Sequence, residues 1–209
     1  MDEIYLCSSS ELKLQHYQAF FAGLNKKIIK ISMDLPEVQE TDVLKVVYEK
    51  LKIAMQLTPL RPIIVDDVGL EIEGLMGFPG ALLKPILSLG KMELMKKLSE
   101  SQFTPFSQVK AKLLCAIAIS KLSQSDQSLV DSYLQKNECV YLGEMKGLLN
   151  FSKLEFLNDT DTTRCFYPLI NEINNINHYS EQNISEMLDW TKAYSHRFNA
   201  LKKLQELTP

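Results

Sequence analysis

Four short stretches of this chain carry residue types and spacings that could do chemistry. The first, PIIVDDVGLEIEGLMGFPG from Pro62 to Gly80, ends an apolar strand on two adjacent carboxylates, Asp66 and Asp67, and follows them with glycines. Successive side chains of a strand point to opposite faces, so only one of the two acids faces any one site. A carboxylate there, beside a glycine that frees the backbone, suits a hard cation such as magnesium, which takes few protein oxygens and completes its shell with phosphate oxygens and water. A pair of solvated turn acids fits the same stretch. The second is MDLPEVQ, where Pro36 stiffens the chain after a strand and presents Glu37 at the same sheet edge; an acid in the first turn of a helix reads the same way.

The third, LCSSSELKLQ, runs from a strand through Ser8, Ser9 and Ser10 into a helix bearing Lys13. Exposed amides at a helix start plus one lysine make an anion site, or a serine cap beside a solvated lysine. The fourth is YSHRFNALKKL, in which Ser195 caps a helix whose first turn holds His196 and Arg197. Cations are disfavoured at that end of a helix dipole, so two of them call for an anionic partner, either a ligand or an acid of the protein.

The elements that must position these residues alternate. Strands are expected at Ile4 to Cys7, Lys27 to Ser32 and Pro62 to Asp66, with helices at Ser10 to Leu24 and Thr41 to Met55, the order of an α/β sheet with crossover helices. From Gln108 to Leu149 the pattern turns to long antiparallel strands, VKAKLLCAIAIS and SLVDSYLQKNECVYLGEMKG, around the polar turn KLSQSDQ. Asn171 to Asn183 is asparagine-rich and reads as a surface loop. An amphipathic helix from Ser195 to Leu207 closes the chain, with Phe198, Leu201, Leu204 and Leu207 on one face.

With 209 residues and no linker or repeat, residues 1–209 read as a single domain. A net charge of -3 gives no field to recruit nucleic acid or an anionic membrane. Cys7, Cys115, Cys139 and Cys165 show no zinc spacing, which fits a reduced, cytoplasmic chain. No targeting segment or membrane span is read.

Taken together and in this order, DLPEVQ, VDDVGLEIEGLMGFPGALLK, KAKLLCAIAIS, YLGEMKGLL and SHRFNALKKLQEL resemble the inosine triphosphate pyrophosphatase family, whose members hydrolyse non-standard purine nucleoside triphosphates to monophosphate and pyrophosphate. The resemblance implies a mixed, elongated central sheet flanked by helices, with two lobes and a nucleotide cleft between them. It implies that Glu37 and Asp67 hold Mg2+ and that Asp67 is the general base toward water, supported by Asp66. It further implies that Lys13 contacts the triphosphate, that His196 and Arg197 line the pocket with His196 near the base, and that Lys84 supplies a basic group after the PG turn. A homodimer is implied as well, with GFPGALLKPILSL as candidate interface surface.

The departures fall unevenly. The family's T/S-G-N loop reads Ser8, Ser9, Ser10, a hydroxyl residue is replaced by Val68, and a helix lysine stands replaced by Val47. The F-G-aromatic-D-P segment survives only as RCFYPLI, keeping Phe166 and Pro168 but placing Arg164 at the first aromatic and Tyr167 at the acid, and Lys192 lies one residue closer to S-H-R than the family's lysine. The expected function is a magnesium-dependent pyrophosphatase of shifted base preference acting on ITP, dITP or XTP. The alternative is a nucleotide-binding regulatory or interaction protein of the same fold that has lost turnover.

Overall fold

A computed structural model describes residues 2–89, 97, 109–120, 139–150, 166–171, 177–179 and 195–206. The expected alternation opens the chain: β1 (Asp2–Cys7), α1 (Glu11–Phe21), β2 (Lys26–Ile31), α2 (Val43–Leu57) and β3 (Ile63–Ile72). A 3-10 turn (Glu73–Leu75), the short β4 (Pro79–Gly80) and α3 (Leu83–Ser88) follow, then β5 (Val109–Ser120), β6 (Val140–Leu149), β7 (Phe166–Asn171), β8 (Asn177–Tyr179) and α4 (His196–Glu206). The sheet order is β2-β1-β3-β5-β6-β7-β8, with β4 on β3. Its first three strands are parallel, as crossover helices require, and the rest antiparallel, so the fold is α/β with a mixed open sheet.

Each face of the sheet has its own cover. α2 buries Val43, Val47, Leu51, Ala54 and Met55, a stripe at helical spacing, against Val65, Leu114, Ala116 and Ala118. On the opposite face Tyr17 and Phe21 of α1 and Ala200, Leu201 and Leu204 of α4 pack on Ile64, Cys115, Ile117 and Tyr141. A third cluster lies farther along β3 and β5, where Leu70, Ile72 and Leu113 meet Leu83, Leu149 and Phe166, with Phe78, Ile86 and Leu87 against it.

Three expectations change. β3 does not stop at Asp66; it runs to Ile72, in register with β5 throughout, so the paired acids sit mid-strand opposite Ile117 and Ala116. Gly69 makes this possible, because a Cβ there would lie 2.6 Å from Val43 Cγ1 and 3.0 Å from the main chain of Gly80. The asparagine-rich stretch contains β8, which pairs antiparallel with the end of β7, since a hairpin return satisfies main-chain groups whatever the side chains. The second antiparallel strand begins no earlier than Val140 among the described residues; 121–138 lie outside them. No helix of the described residues is long and apolar enough to cross a membrane.

Candidate active site

The site lies where β1 runs out. β1 pairs with β3 only through Leu6 and Ile64, and β4 joins the same side of β3 only at Leu70. Between those points that edge of β3 has no strand partner among the described residues, and Asp66 and Asp67 stand in the gap. α1 and α2 leave β1 and enter β3 on opposite faces, so this is the switch point at which α/β sheets hold ligands. The main-chain oxygen of Asp66 accepts from two lysines at once, Lys13 Nζ at 3.2 Å and Lys50 Nζ at 3.4 Å.

On one face the Asp66 carboxylate, 1% exposed, accepts from Lys13 Nζ at 2.5 Å through Oδ1 and from Arg197 Nε at 2.9 Å through Oδ2. Arg197 Nη1 lies 2.9 Å from His16 Nδ1. Burial alone would raise the carboxyl of Asp66, but the charges of Lys13 and Arg197 outweigh it and hold the group well below the usual range. Burial and the positive charge of Arg197 push His16 down to about 4, and burial with Arg197 and His16 pushes His196 down to about 3. Both imidazoles are therefore neutral at physiological pH. This resolves the conflict at the start of α4: His196 brings no charge there, and Arg197 is paired with a buried acid.

On the other face Lys50 Nζ bonds Asp67 Oδ1 at 2.9 Å and Glu37 Oε1 at 2.7 Å, with Lys84 Nζ 3.7 Å from the same Glu37 oxygen. Burial raises the pKa of Asp67 despite Lys50 and Lys13. Burial works the same way on the half-exposed Glu37, but there Lys50 and Lys84 prevail and the group is lowered. Desolvation opposes the charge on Lys50, and its two carboxylates more than restore it. The ammonium is fixed and cationic.

Local structure explains these placements. Leu35, buried in the α2 cluster, anchors the loop after β2 and so delivers Glu37. Ser10 caps α1 by accepting from Lys13 N at 3.3 Å, and its own N–H donates to Ser8 Oγ at 3.1 Å, while Ser9 is exposed. Ser195 Oγ accepts from Arg197 N at 3.2 Å, and the start of α4 is pressed onto β6 at Gly143, where a Cβ would lie 2.0 Å from the His196 carbonyl oxygen. His196 Nδ1 is buried with no hydrogen-bond partner among the described residues.

Glu37, Asp67, Lys13, Lys84, His196 and Arg197 thus come together around two residues of β3. Val68 shares Asp66's face and packs, half-buried, against the α1/α4 core. Phe166 is fully buried in the third cluster, its ring occupied by packing and closed over Gly147. Lys192 lies outside the described residues.

Sequence reasoning missed two residues. The lysine expected at Val47 stands one helical turn on, at Lys50; Val47 is fully buried in the core, and Lys50 occupies the same inward stripe. A lone charge in the apolar stripe of an amphipathic helix was the available signal. His16 had a weaker one, its i,i+3 spacing from Lys13 beside the buried Tyr17.

The donor set suits a hard divalent ion. The Glu37 and Asp67 oxygens converge on one ammonium, so they address a single cation. Among the described residues there is no group of three or more His, Cys, Asp or Glu that could hold a metal.

Comparison with known proteins bears on the family and the fold. Residues 4–207 match the family model of the Ham1 family. An inosine triphosphate pyrophosphatase of Leishmania major is 33% identical over 106 residues, a match spanning 45% of either chain and so less than half of that relative. One of Encephalitozoon cuniculi is 27% identical over 168 residues, covering 77% of this chain and 75% of that protein. Among solved structures, a HAM1 protein from Coxiella burnetii superposes with a TM-score of 0.69 at 21% identity over 99% of this chain and 98% of that one. The Ham1 protein of Staphylococcus aureus gives 0.65 at 20% identity over 98% and 97%.

Proposed function

The chain belongs to the Ham1 family, and we propose that it is a magnesium-dependent pyrophosphohydrolase that cleaves non-standard purine nucleoside triphosphates, ITP, dITP or XTP, to the monophosphate and pyrophosphate. The observation that carries this reading is the pair of adjacent β3 carboxylates, each fixing cations on its own face at the unpaired edge of the strand. Lys13, Lys50, Lys84 and Arg197 give a triphosphate four cationic partners around a base and a metal-binding pair.

Asp67, its pKa raised by burial, takes the proton of a water whose oxygen attacks the α-phosphorus. The bond to the bridging oxygen breaks, and the electron pair leaves with pyrophosphate. Glu37 and Asp67 hold the magnesium, which when bound supplies Lewis-acid stabilisation of the phosphate charge. Lys13 and Arg197, oriented by Asp66, neutralise the phosphates, and Lys50 exchanges its carboxylates for phosphate oxygen. Nδ1 of His196, which has no partner among the described residues, meets the purine edge, and the protein works as a cytoplasmic homodimer.

The deciding experiment presents the purified protein with a panel of nucleoside triphosphates and magnesium and follows pyrophosphate. Release from ITP supports the reading. Nucleotide binding without release from any member of the panel overturns it in favour of a regulatory protein.

A further inference from the structure

We propose that His16 is a positioning residue for the phosphate site, acting as a neutral imidazole whose Nδ1 lone pair holds the guanidinium of Arg197. The inference deepens the reading of the site given above and rests on it. A guanidinium is a donor only and keeps its protons at any pH a protein survives. At 2.9 Å from Arg197 Nη1, Nδ1 of His16 must therefore accept, which leaves the imidazole proton on Nε2. Tautomer and charge follow from the partner, not from any observed hydrogen.

The contact closes a ring. α1 carries both Lys13 and His16, three residues apart and so on one side of the helix. Lys13 takes Asp66 Oδ1, Arg197 Nε takes Oδ2, and His16 takes Nη1. The guanidinium is thereby held along two of its edges by two elements, β3 and α1, while its own backbone sits in the first turn of α4. Among the described residues nothing takes its remaining N–H groups, which can address an anion in a fixed plane. An arginine tied only to Asp66 could still swing about that bond, and misplaced cations stabilise phosphate charge poorly.

Burial supports this arrangement. His16 is 8% exposed, and the groups that govern its charge are Arg197 of α4 and Asp66 of β3. Desolvation and Arg197 disfavour the imidazolium while Asp66 favours it, and with a pKa of about 4 the acceptor form persists across physiological pH. His16 in turn lies near enough to His196 to disfavour a charge on it.

The test compares His16→Leu, which keeps bulk without an acceptor, with His16→Gln, whose amide oxygen can accept. Binding of inorganic tripolyphosphate with magnesium is measured by calorimetry, alongside nucleotide KM and kcat and the 15N shifts of the wild-type imidazole. His16→Leu is expected to weaken tripolyphosphate binding and raise KM about tenfold to a hundredfold, the loss of one hydrogen bond to a charged group. His16→Gln should recover most of it, and the wild-type shifts should show the proton on Nε2. A Gln variant no better than Leu, both variants binding as wild type, or a proton on Nδ1 overturns the proposal. Should the Leu variant fail to fold, the Gln variant and the wild-type shifts still decide. The calorimetry and shifts need no turnover, so an enzyme inactive on every nucleotide would sink the functional reading and leave the role of His16 separately answered.

Discussion

Lys50 is the residue whose removal tests the site most directly. Replacing it with Met keeps much of its bulk within the α2 stripe but leaves Asp67 and Glu37 without the ammonium that each bonds, at 2.9 and 2.7 Å. Removing one partner of a buried pair costs about 3–5 kcal/mol. The Glu37 side chain is 29% exposed and can regain water while Asp67 cannot, so the low end applies, about 3 kcal/mol. At this chain length that is about 6–12 °C in Tm.

The loss has a pH signature. Lys50 lowers the pKa of both carboxylates, so in the variant the raised Asp67 climbs further above its unfolded value, Glu37 loses much of its depression, and the folded state binds more protons. Stability arising from a raised carboxylate is full at low pH and lost as pH climbs through the folded pKa. The deficit should therefore be larger near about pH 8 than near about pH 5. Magnesium should restore more stability to the variant than to the wild type, because no ammonium competes for the two oxygens. Urea unfolding at both pH values, with and without magnesium, measures all three effects. A deficit below about 1 kcal/mol, or one that grows toward low pH, would refute the charge argument.

Three further outcomes are expected. Asp67→Asn should nearly abolish pyrophosphate release while circular dichroism stays native, since an amide can neither accept the proton nor bind magnesium well; retained turnover would exclude Asp67 as the base. Asp66 has a folded pKa below its ordinary 3.8, so its stabilisation is present above that value and lost as pH falls through the folded one. The stability gap between wild type and Asp66→Asn should thus narrow below about pH 4, and a gap constant with pH would contradict the pairing with Lys13 and Arg197. For nucleotide choice, a single hydrogen bond from His196 should favour ITP over ATP in kcat/KM by about tenfold to a hundredfold. A ratio above about a thousandfold would mean that another segment reads the base.

The local pattern of the sequence determined the elements. Period-3.6 stripes located α1, α2 and α4 to within three residues at either end, and the apolar run of β5 matched residue for residue. Period-2 alternation was enough to separate Asp66 from Asp67, because neighbouring strand residues face apart in any strand. Short motifs carried the Ham1 likeness because the spacing of charges on one loop or turn is written into the chain itself.

What the tertiary structure decided is everything that depends on two remote segments meeting. β3 extends past Asp66 because β5 pairs with it throughout and α2 and the main chain of Gly80 close over Gly69, contacts with no trace in the local pattern. His196 and Arg197 looked like two cations at an unfavourable helix end; burial made one neutral and a carboxylate 131 residues away compensated the other. The same holds for Lys50 and His16. A lysine in an apolar stripe or a histidine beside a core tyrosine is ambiguous by type, and only the carboxylates of β3 and the guanidinium of α4, arriving from other parts of the chain, fix the charge and the bond each one has.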